Sequence, residues 1–544
     1  MRNLIKAQRA CVLCGIYLLS VATPANLQAQ TGKQQADLIV YGGTASGVMA
    51  AYSAGRDGLK VVLLEPGSHL GGMVTGGLSA TDIADYWVIG GYARAFYLRA
   101  AAHYGVHNLD KPGNWFSEPH VDESIFTAML KDAGVDVHLH EQLQAKRGVE
   151  KSGQRIVRIT TADKKQWEAK IYIDSTYEGD LMAEAGVSYT LGRESVAQFG
   201  ESLAGVRSVT PGHQFPWPMP AFDKNGKLYP EVNSGPPQSA GSGDKKIQSY
   251  NFRLILTAKA EDKLPFSRPE GYDRGRFALL EEYLREFEQH RGRSPVLNDF
   301  FNPVAIPNNK ADFNNNGPIS TDYIGHSWAY PEASYAERER IWNDHLLYTE
   351  SLVYFLSHDL SVPESLRNEL NHWGLPKDEF SDTGHWPNQL YVREARRMLG
   401  VYFMRQSDLE NNHSEPDSIG MGSYNSDSHN IQRVAMPDRT VQNEGDVEVR
   451  LGSYEIPYRS IIPKPADAEN LLVTVCVSAT HVAYSSLRME PQYMILGQAG
   501  GEAAALAVRN RVAVQDISVE QLQHMLRRHG AILHIDQGYA HASD

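Results

Sequence analysis

Cysteine is nearly absent, with three in 544 residues, at positions 11, 14 and 476. A disulfide scaffold is therefore excluded, and a chain this long must rest on its own buried core. Basic excess is also missing. Lys and Arg total 52 against 65 Asp and Glu, a formal net charge of -13, which excludes the clustered cations of a nucleic-acid binder. Long apolar runs are missing too. Residues 10–22 form an apolar run shorter than the roughly 20 residues a membrane span needs. Arg2, Lys6 and Arg9 precede that run and Leu27-Gln28-Ala29 follows it, the pattern of a secretory signal over residues 1–29. There is no twin-arginine pair, and Cys14 lies inside the run where a lipoprotein would place its cysteine after it. The expectation is a periplasmic or secreted protein without stable membrane insertion. Only Cys476 then remains, in the apolar "LLVTVCVSAT", where an inert strand residue is expected.

What is present begins with "DLIVYGGTASGVMAAYSAGRDGLKVVLLE". It reads as strand, glycine turn, helix, strand, acid. Gly42 suits the sharp turn, and Gly43 continues it. Gly47 lets the helix pack closely on the strand. The helix N-terminus offers free N–H groups to a pyrophosphate. Glu65 lies close to the spacing expected of the acid that accepts ribose hydroxyls. Thr44 stands where the fingerprint has its second glycine, and its hydroxyl is expected to donate to a phosphate oxygen. The plainer alternative is a glycine turn between packed elements.

"EPGSHLGGMVTGGLS" follows, and its glycines would let backbone lie against a flat ring. From here the chain resembles the FAD-dependent oxidoreductases of the GGM type, a branch of the glutathione-reductase-like two-dinucleotide flavoproteins, some of whose members are labelled xanthan lyases. The resemblance implies FAD as cofactor and Gly71, Gly72 and Met73 as contacts. It makes Thr44 the usual residue at its position. Some related flavoproteins attach FAD to a histidine in this region, so His69 is a candidate link. "NLLVTVCVSATHVAYSSLRMEPQYMILGQAGGEAAALAV" is similar to the family's C-terminal FAD motif. Gly497, Gly500 and Gly501 are carried over as flavin contacts in what reads as the first turn of a helix. The alternative for them is a small-residue packing face between helices. "KIYIDSTYEGDLMAEAGV" reads as a strand, turn and helix returning to the nucleotide. There Asp174, Glu178 and Asp180 are either cofactor neighbours or helix-capping acids.

The fold class expected is α/β: a discontinuous Rossmann-like FAD/NAD(P)-binding domain with an inserted α+β substrate domain. The first part spans 36–200, the substrate domain 201–444, the return segment 445–515, and a tail helix 516–544. Residues 208–245, rich in Pro, Gly and Ser, suggest a surface excursion or lid. Ser249–Thr257 alternates like a strand. Asp312-x-Asn314-x-Asn316-Gly317 imitates a calcium loop, but Tyr323 stands where its bidentate Glu belongs, so no metal site is expected. "HWPNQLYVREARRMLGVYFM" reads as a helix with Arg393 and Arg397 on one face. These arginines pair either with Asp or Glu or with a substrate carboxylate, and His385 and Asn388 precede them. A flavin enzyme acting on an alcohol needs a base near neutral pKa. His481, by topology, and His429, with Asp427 to orient it, are the candidates, and Arg393 is a candidate substrate contact.

The function expected is hydride transfer between flavin and a polar hydroxylated molecule: a sugar, a polyol or a glycan-derived compound. "NWF" and "FPWPMP" suggest aromatic surfaces for sugar rings. Oxygen, a quinone and a carrier protein all fit as electron acceptor. A polysaccharide lyase acting on acidic glycans and a non-catalytic flavin-binding protein are the alternatives.

Overall fold

The computed structural model describes residues 34–535, apart from 209, 211 and 411–413. The expected signal segment and the end of the tail lie outside the described residues.

Strand β1 (Gln34–Tyr41) enters a glycine turn, helix α1 (Ala45–Arg56) and strand β2 (Val61–Leu64). Helices α2 (Gly91–His103) and α3 (Pro119–Asp132) lead to β3 (Asp136–His138). The hairpin β4 (Val149–Ser152) and β5 (Arg155–Thr160) then delivers β6 (Gln166–Asp174). The strands lie side by side as β3-β2-β1-β6-β5-β4. The first four are mutually parallel, and β5 pairs antiparallel with the first half of β6. The second half of β6 takes a distant partner, β10 (Leu471–Val473), with Leu471 opposite Tyr172. The sheet is thus closed by chain that returns some 300 residues later.

Both faces of this sheet are apolar, as covered parallel strands require. Leu38, Val40, Leu63 and Ile173 face one core together with α1 and α8 (Glu490–Asn510). Ile39, Tyr41, Val62 and Leu64 face a second core with Trp167, Leu181 and Met182. The short helix α4 (Asp180–Glu184) leaves β6 through a turn tied by Asp174, which accepts from Thr176 N–H at 3.0 Å and Met182 N–H at 2.7 Å.

Between β6 and β10 lies a third core. Its antiparallel sheet holds β7 (Leu254–Thr257), β8 (Phe301–Ile306) and β9 (Lys310–Asn315), with β9 in the centre. Helices α5 (Ala278–Arg291) and α6 (Tyr335–His358) pack here. Met73, Leu78 and Tyr177 join this core from the nucleotide side, and Tyr493 joins it from α8. The short helix α7 (His481–Leu487) precedes α8, and α9 (Val519–Arg528) follows it.

Three expectations are corrected. Residues 385–404 are not a helix: the chain is irregular through 391–396, with Val392 N–H bonded to Leu390 O and Arg393 N–H to Tyr391 O, and only Arg397–Met398 form a two-residue strand. Its polar groups are claimed from far away, for Tyr391 N–H donates to Asn251 and Met398 N–H to Cys476. Such tertiary bonds override helical propensity. Trp115 and Trp217 are buried rather than offered to a sugar. Trp115 Nε1 donates to Leu109 O at 2.9 Å, and Trp217 stacks on Tyr283 and His290. Finally, Cys476 lies just past β10, where its thiol faces the carbonyls of Thr176 and Tyr177 and burial raises its pKa. Asp312 sits within β9, its carboxylate paired with Arg253 through two 2.9 Å bonds.

Candidate active site

A cavity of about 630 Å³ opens along the glycine turn, within the range of cofactor sites. Gly42 (φ +99°), Thr44, Glu65, His69, Gly72 and Gln389 lie on its wall. The turn demands glycine for space as well as for angle. A Cβ on Gly42 would lie 2.8 Å from Ser175 and Thr176, and one on Gly47 would lie 1.9 Å from the Gly42 carbonyl oxygen.

Thr44 caps α1. Its Oγ1 accepts from Gly47 N–H at 3.2 Å and donates to Ser175 O at 2.7 Å. The hydroxyl proton expected to serve a phosphate is therefore committed to the protein. Glu65 curls onto the turn, accepting from Gly43 N–H at 2.6 Å and Gly67 N–H at 2.5 Å. Burial pushes its carboxyl up to about 7 against the pull of these amides. Each oxygen keeps a lone pair with which to accept a ribose hydroxyl.

The second glycine loop folds onto the first, with Gly71 N–H donating to Gly43 O at 2.7 Å. A Cβ on Gly71 (φ +99°) would strike Phe126, and one on Gly72 (φ +56°) would reach within 2.3 Å of the Tyr177 hydroxyl. That hydroxyl accepts from Met73 N–H at 2.9 Å and donates to Glu490 Oε1 at 2.7 Å. Glu490 stands in the first turn of α8, and burial raises its pKa to about 8. Its Oε2 and the Oε1 of Gln492 are buried without a hydrogen-bond partner among the described residues. Two orphaned polar atoms at a helix N-terminus, beside a loop that only glycine can build, fit the polar edge of a flavin ring.

Gly497, Gly500 and Gly501 lie elsewhere than expected. They sit two to three turns into α8, pressed on α1 and β10. A Cβ on Gly497 would lie 2.1 Å from Ser46 O, one on Gly501 2.1 Å from Ser53 Oγ, and one on Gly500 2.7 Å from Thr474 Cγ2. This is the helix-packing alternative. The first turn of α8 belongs to Glu490–Tyr493.

A second cavity, about 80 Å³ and almost wholly polar, adjoins this machinery. The loop from Gly72 in the first cavity continues to Asp82 in the second. Likewise Gln389 lines the first and Tyr391 the second. Arg488, just before α8, donates to the Tyr391 hydroxyl at 2.9 Å and to Asp427 Oδ2 at 3.2 Å.

His429 lies on this second cavity. Its Nδ1 is 2.6 Å from Asp322 Oδ2, and Asp427 is 3.8 Å from its Nε2. Asp322, not Asp427, orients the ring. Burial and the nearby Arg393 push the His429 pKa down, while Asp322 and Asp427 oppose them. Arg393 forms a 3.0 Å ion pair with Asp322, donates to Ser249 O at 2.6 Å and lies over Tyr391. It lines neither cavity and acts as a positioning residue.

His481 also lines neither cavity. It is 3% exposed and its Nδ1 is 2.7 Å from Glu394, which Arg397 also pairs. His385 bonds the Glu379 carbonyl at 3.1 Å. His69 lies on the first cavity with Nδ1 3.2 Å from Glu123 and Nε2 2.9 Å from Asp382. Sequence reasoning missed Tyr177, Asp322, Arg488 and Glu490. Only Glu490 carried a signal, since Glu-Pro marks a helix start.

The sheet order, glycine turn and paired cavities define a dinucleotide-binding protein of the Rossmann-like flavoprotein class. The chain belongs to the FAD dependent oxidoreductase family, whose profile matches residues 37–526. No curated protein matches the chain. Among solved structures it is similar to thioredoxin reductase from Streptococcus pyogenes (20% identity, 26% of this chain and 35% of that one, TM-score 0.17). It is also similar to a flavin-containing monooxygenase from Stenotrophomonas maltophilia (19%, 30% and 44%, 0.19). A third is L-proline dehydrogenase from P. horikoshii (12%, 30% and 59%, 0.22). The match spans less than two thirds of each of these chains, and at these TM-scores the likeness carries no argument. That family uses FAD as cofactor, and the glycine cradle with the unpartnered atoms of Glu490 and Gln492 fits it. No described helix is long and apolar enough to cross a membrane.

Proposed function

We propose that this is an exported oxidoreductase of the GGM type that acts on a polar hydroxylated small molecule, a sugar, polyol or glycan-derived compound. Bound FAD supplies the hydride acceptor or donor. Gly42, Gly43, Gly47, Glu65, Gly71, Gly72 and Met73 form its cradle, with Tyr177 and Glu490 at the ring end. The substrate's reacting end enters the second cavity, and His429 takes its hydroxyl proton at Nε2. Asp322 holds the imidazole so that Nδ1 carries the proton and Nε2 stays basic, and Arg393 holds Asp322. His481 supports the fold through Glu394.

The observation that carries this reading is the Asp322–His429 contact at Nδ1, which leaves Nε2 without a hydrogen bond among the described residues, on a residue that lines a polar cavity. Anaerobic mixing of the holoprotein with a panel of sugars and polyols tests it. Flavin bleaching by at least one, lost in His429→Gln, is expected. Bleaching that survives His429→Gln but not His481→Gln would overturn the assignment.

A further inference from the structure

The charge of the second cavity narrows the substrate beyond the hydroxylated molecule just proposed, and rests on that reading. Four carboxylates lie on its wall, those of Asp82, Asp427, Asp446 and Glu448. Three basic side chains share the wall: Arg253, His213 and His429. Arg253 is spent on Asp312, outside the wall. His429 is held neutral by burial and by Arg393. Asp82 accepts from the Tyr424 hydroxyl at 3.2 Å, and Asp427 meets Arg488.

Asp446 differs from these. It is 5% exposed, lines the cavity, and makes no hydrogen bond or ion pair with any described residue. Gly445 before it takes φ +105°, and a Cβ there would strike Ile431 at 2.8 Å, so the turn that presents Asp446 is built on a glycine. Asn315 lines the same cavity, is 4% exposed, and its Oδ1 is without a hydrogen-bond partner among the described residues. Both groups accept hydrogen bonds, and none from the described residues reaches them; His213, on the same wall, acts on Asp446 through charge alone, without an ion pair.

A buried carboxylate without a partner is costly. Burial raises the Asp446 pKa to about 6, with like charge from Asp427 and Glu448 adding to it and His213 only partly opposing it. A ligand cation would remove that cost. A chelated metal does not fit: among the described residues the one cluster with converging metal-ligand atoms is Glu118, His120, Asp378 and Glu379, none of which lines this cavity. An anionic headgroup would face four like charges. We propose that the second cavity takes a protonated amine, so that the substrate is an amino sugar, amino alcohol or related hydroxylated amine, anchored by Asp446 and Asn315.

Fragments that fit so small a cavity test the proposal on the holoprotein by ligand-observed NMR titration at neutral pH. Ethanolamine, ethylene glycol and glycolate share a skeleton and differ in charge. A charge-assisted hydrogen bond in place of a neutral one predicts at least about tenfold tighter binding of ethanolamine than of ethylene glycol. Glycolate should bind weakest, and Asp446→Asn should erase the preference for the amine over the diol. Equal binding of the amine and the diol, a preference for glycolate, a preference surviving Asp446→Asn, or no ethanolamine binding would each overturn it. Flavin absorbance and melting temperature check that the variant is folded. If it is not, Asp82→Asn replaces it, and the wild-type ranking of the three fragments still decides. The titration reads charge selection alone. Bleaching by polyols can succeed while it fails, or fail while it succeeds, so the two readings fall separately.

Discussion

Replacing His429 by Gln is the perturbation with the most to reveal about the site. Gln approximates the ring's size and keeps a donor for Asp322, but removes the basic nitrogen. A positioned base contributes about 10² to 10⁴ in rate. At about 1.36 kcal/mol per tenfold, the barrier should rise by roughly 3–5 kcal/mol. The pH profile sharpens the test. Burial and Arg393 lower the His429 pKa below its ordinary 6.5, so the neutral, basic form prevails at pH 7. Flavin reduction should therefore climb with pH along a limb whose midpoint lies under 6.5, then stay flat. Asp322→Asn deletes the partner that raises this pKa, so the limb should move to still lower pH while the plateau falls. It also leaves the buried Arg393 unpaired, which costs about 3–5 kcal/mol of stability. Anaerobic stopped-flow mixing at a series of pH values, with flavin absorbance as signal, reads both effects. A His429→Gln protein that reduces its flavin within tenfold of wild type at every pH would refute the reasoning.

Four other perturbations reach other links. Gly497→Ala must push α8 off α1, because its Cβ would lie 2.1 Å from Ser46 O. A loss of about 1–3 kcal/mol is expected, read by denaturant unfolding, and an unchanged midpoint would deny the close approach. Glu490 is raised from 4.5 to about 8 by burial, so the folded state holds its proton longer than the unfolded chain. Its contribution is complete below pH 4.5 and is lost as pH climbs to about 8. Glu490→Gln should melt above wild type beyond that pH and lack the slope. Lys310 is 4% exposed and its Nζ pairs with Glu118 at 2.6 Å, Glu379 at 2.7 Å and Asp378 at 2.8 Å. Lys310→Ala should cost about 3–5 kcal/mol, and Mn²⁺ should restore part of it in the variant and none in wild type, by melting temperature. Carboxylates at both ring nitrogens of His69 raise its pKa, Glu123 foremost. With Glu123 at 3.2 Å from Nδ1 and Asp382 at 2.9 Å from Nε2, neither ring nitrogen is free to bond the flavin, so acid precipitation should release all the FAD, and colour held in the pellet would contradict this.

The first βαβ unit was legible because each of its requirements is local. A glycine that must take φ +99°, a glycine that must admit a helix, and an acid after the next strand all lie within two dozen residues. The return strand was legible as an apolar run and β6 by resemblance, but their pairing, Leu471 opposite Tyr172, had no local signal. Thr44 was placed correctly, but its hydroxyl goes to Ser175, 131 residues away, which no local pattern announces. Gly497–Gly501 misled because small residues serve two purposes that look alike in sequence: close approach of a ligand and close approach of another helix. Glu490-Pro491 gave the true start of α8. The arginines at 393 and 397 have helical spacing, yet each is claimed from a different direction, Arg393 by Asp322 and Arg397 by Glu194 and Glu394. Asp322 is 107 residues from His429, and it had no sequence signal at all.

Those long-range claims explain why both cavities belong to one device. The Met73 amide, the Tyr177 hydroxyl and Glu490 form a continuous hydrogen-bonded chain from the glycine loop to the first turn of α8. Arg488, two residues before Glu490, grips Tyr391 and Asp427 on the substrate side. Any movement of the N-terminal turn of α8 is therefore felt at both walls. With Glu490 uncharged at neutral pH, the turn presents a neutral carboxyl and the free amides of a helix start toward the ring end. No fixed negative charge then opposes the charge that a reduced flavin gathers at N1 and O2. Four carboxylates instead line the second cavity, where we place the substrate.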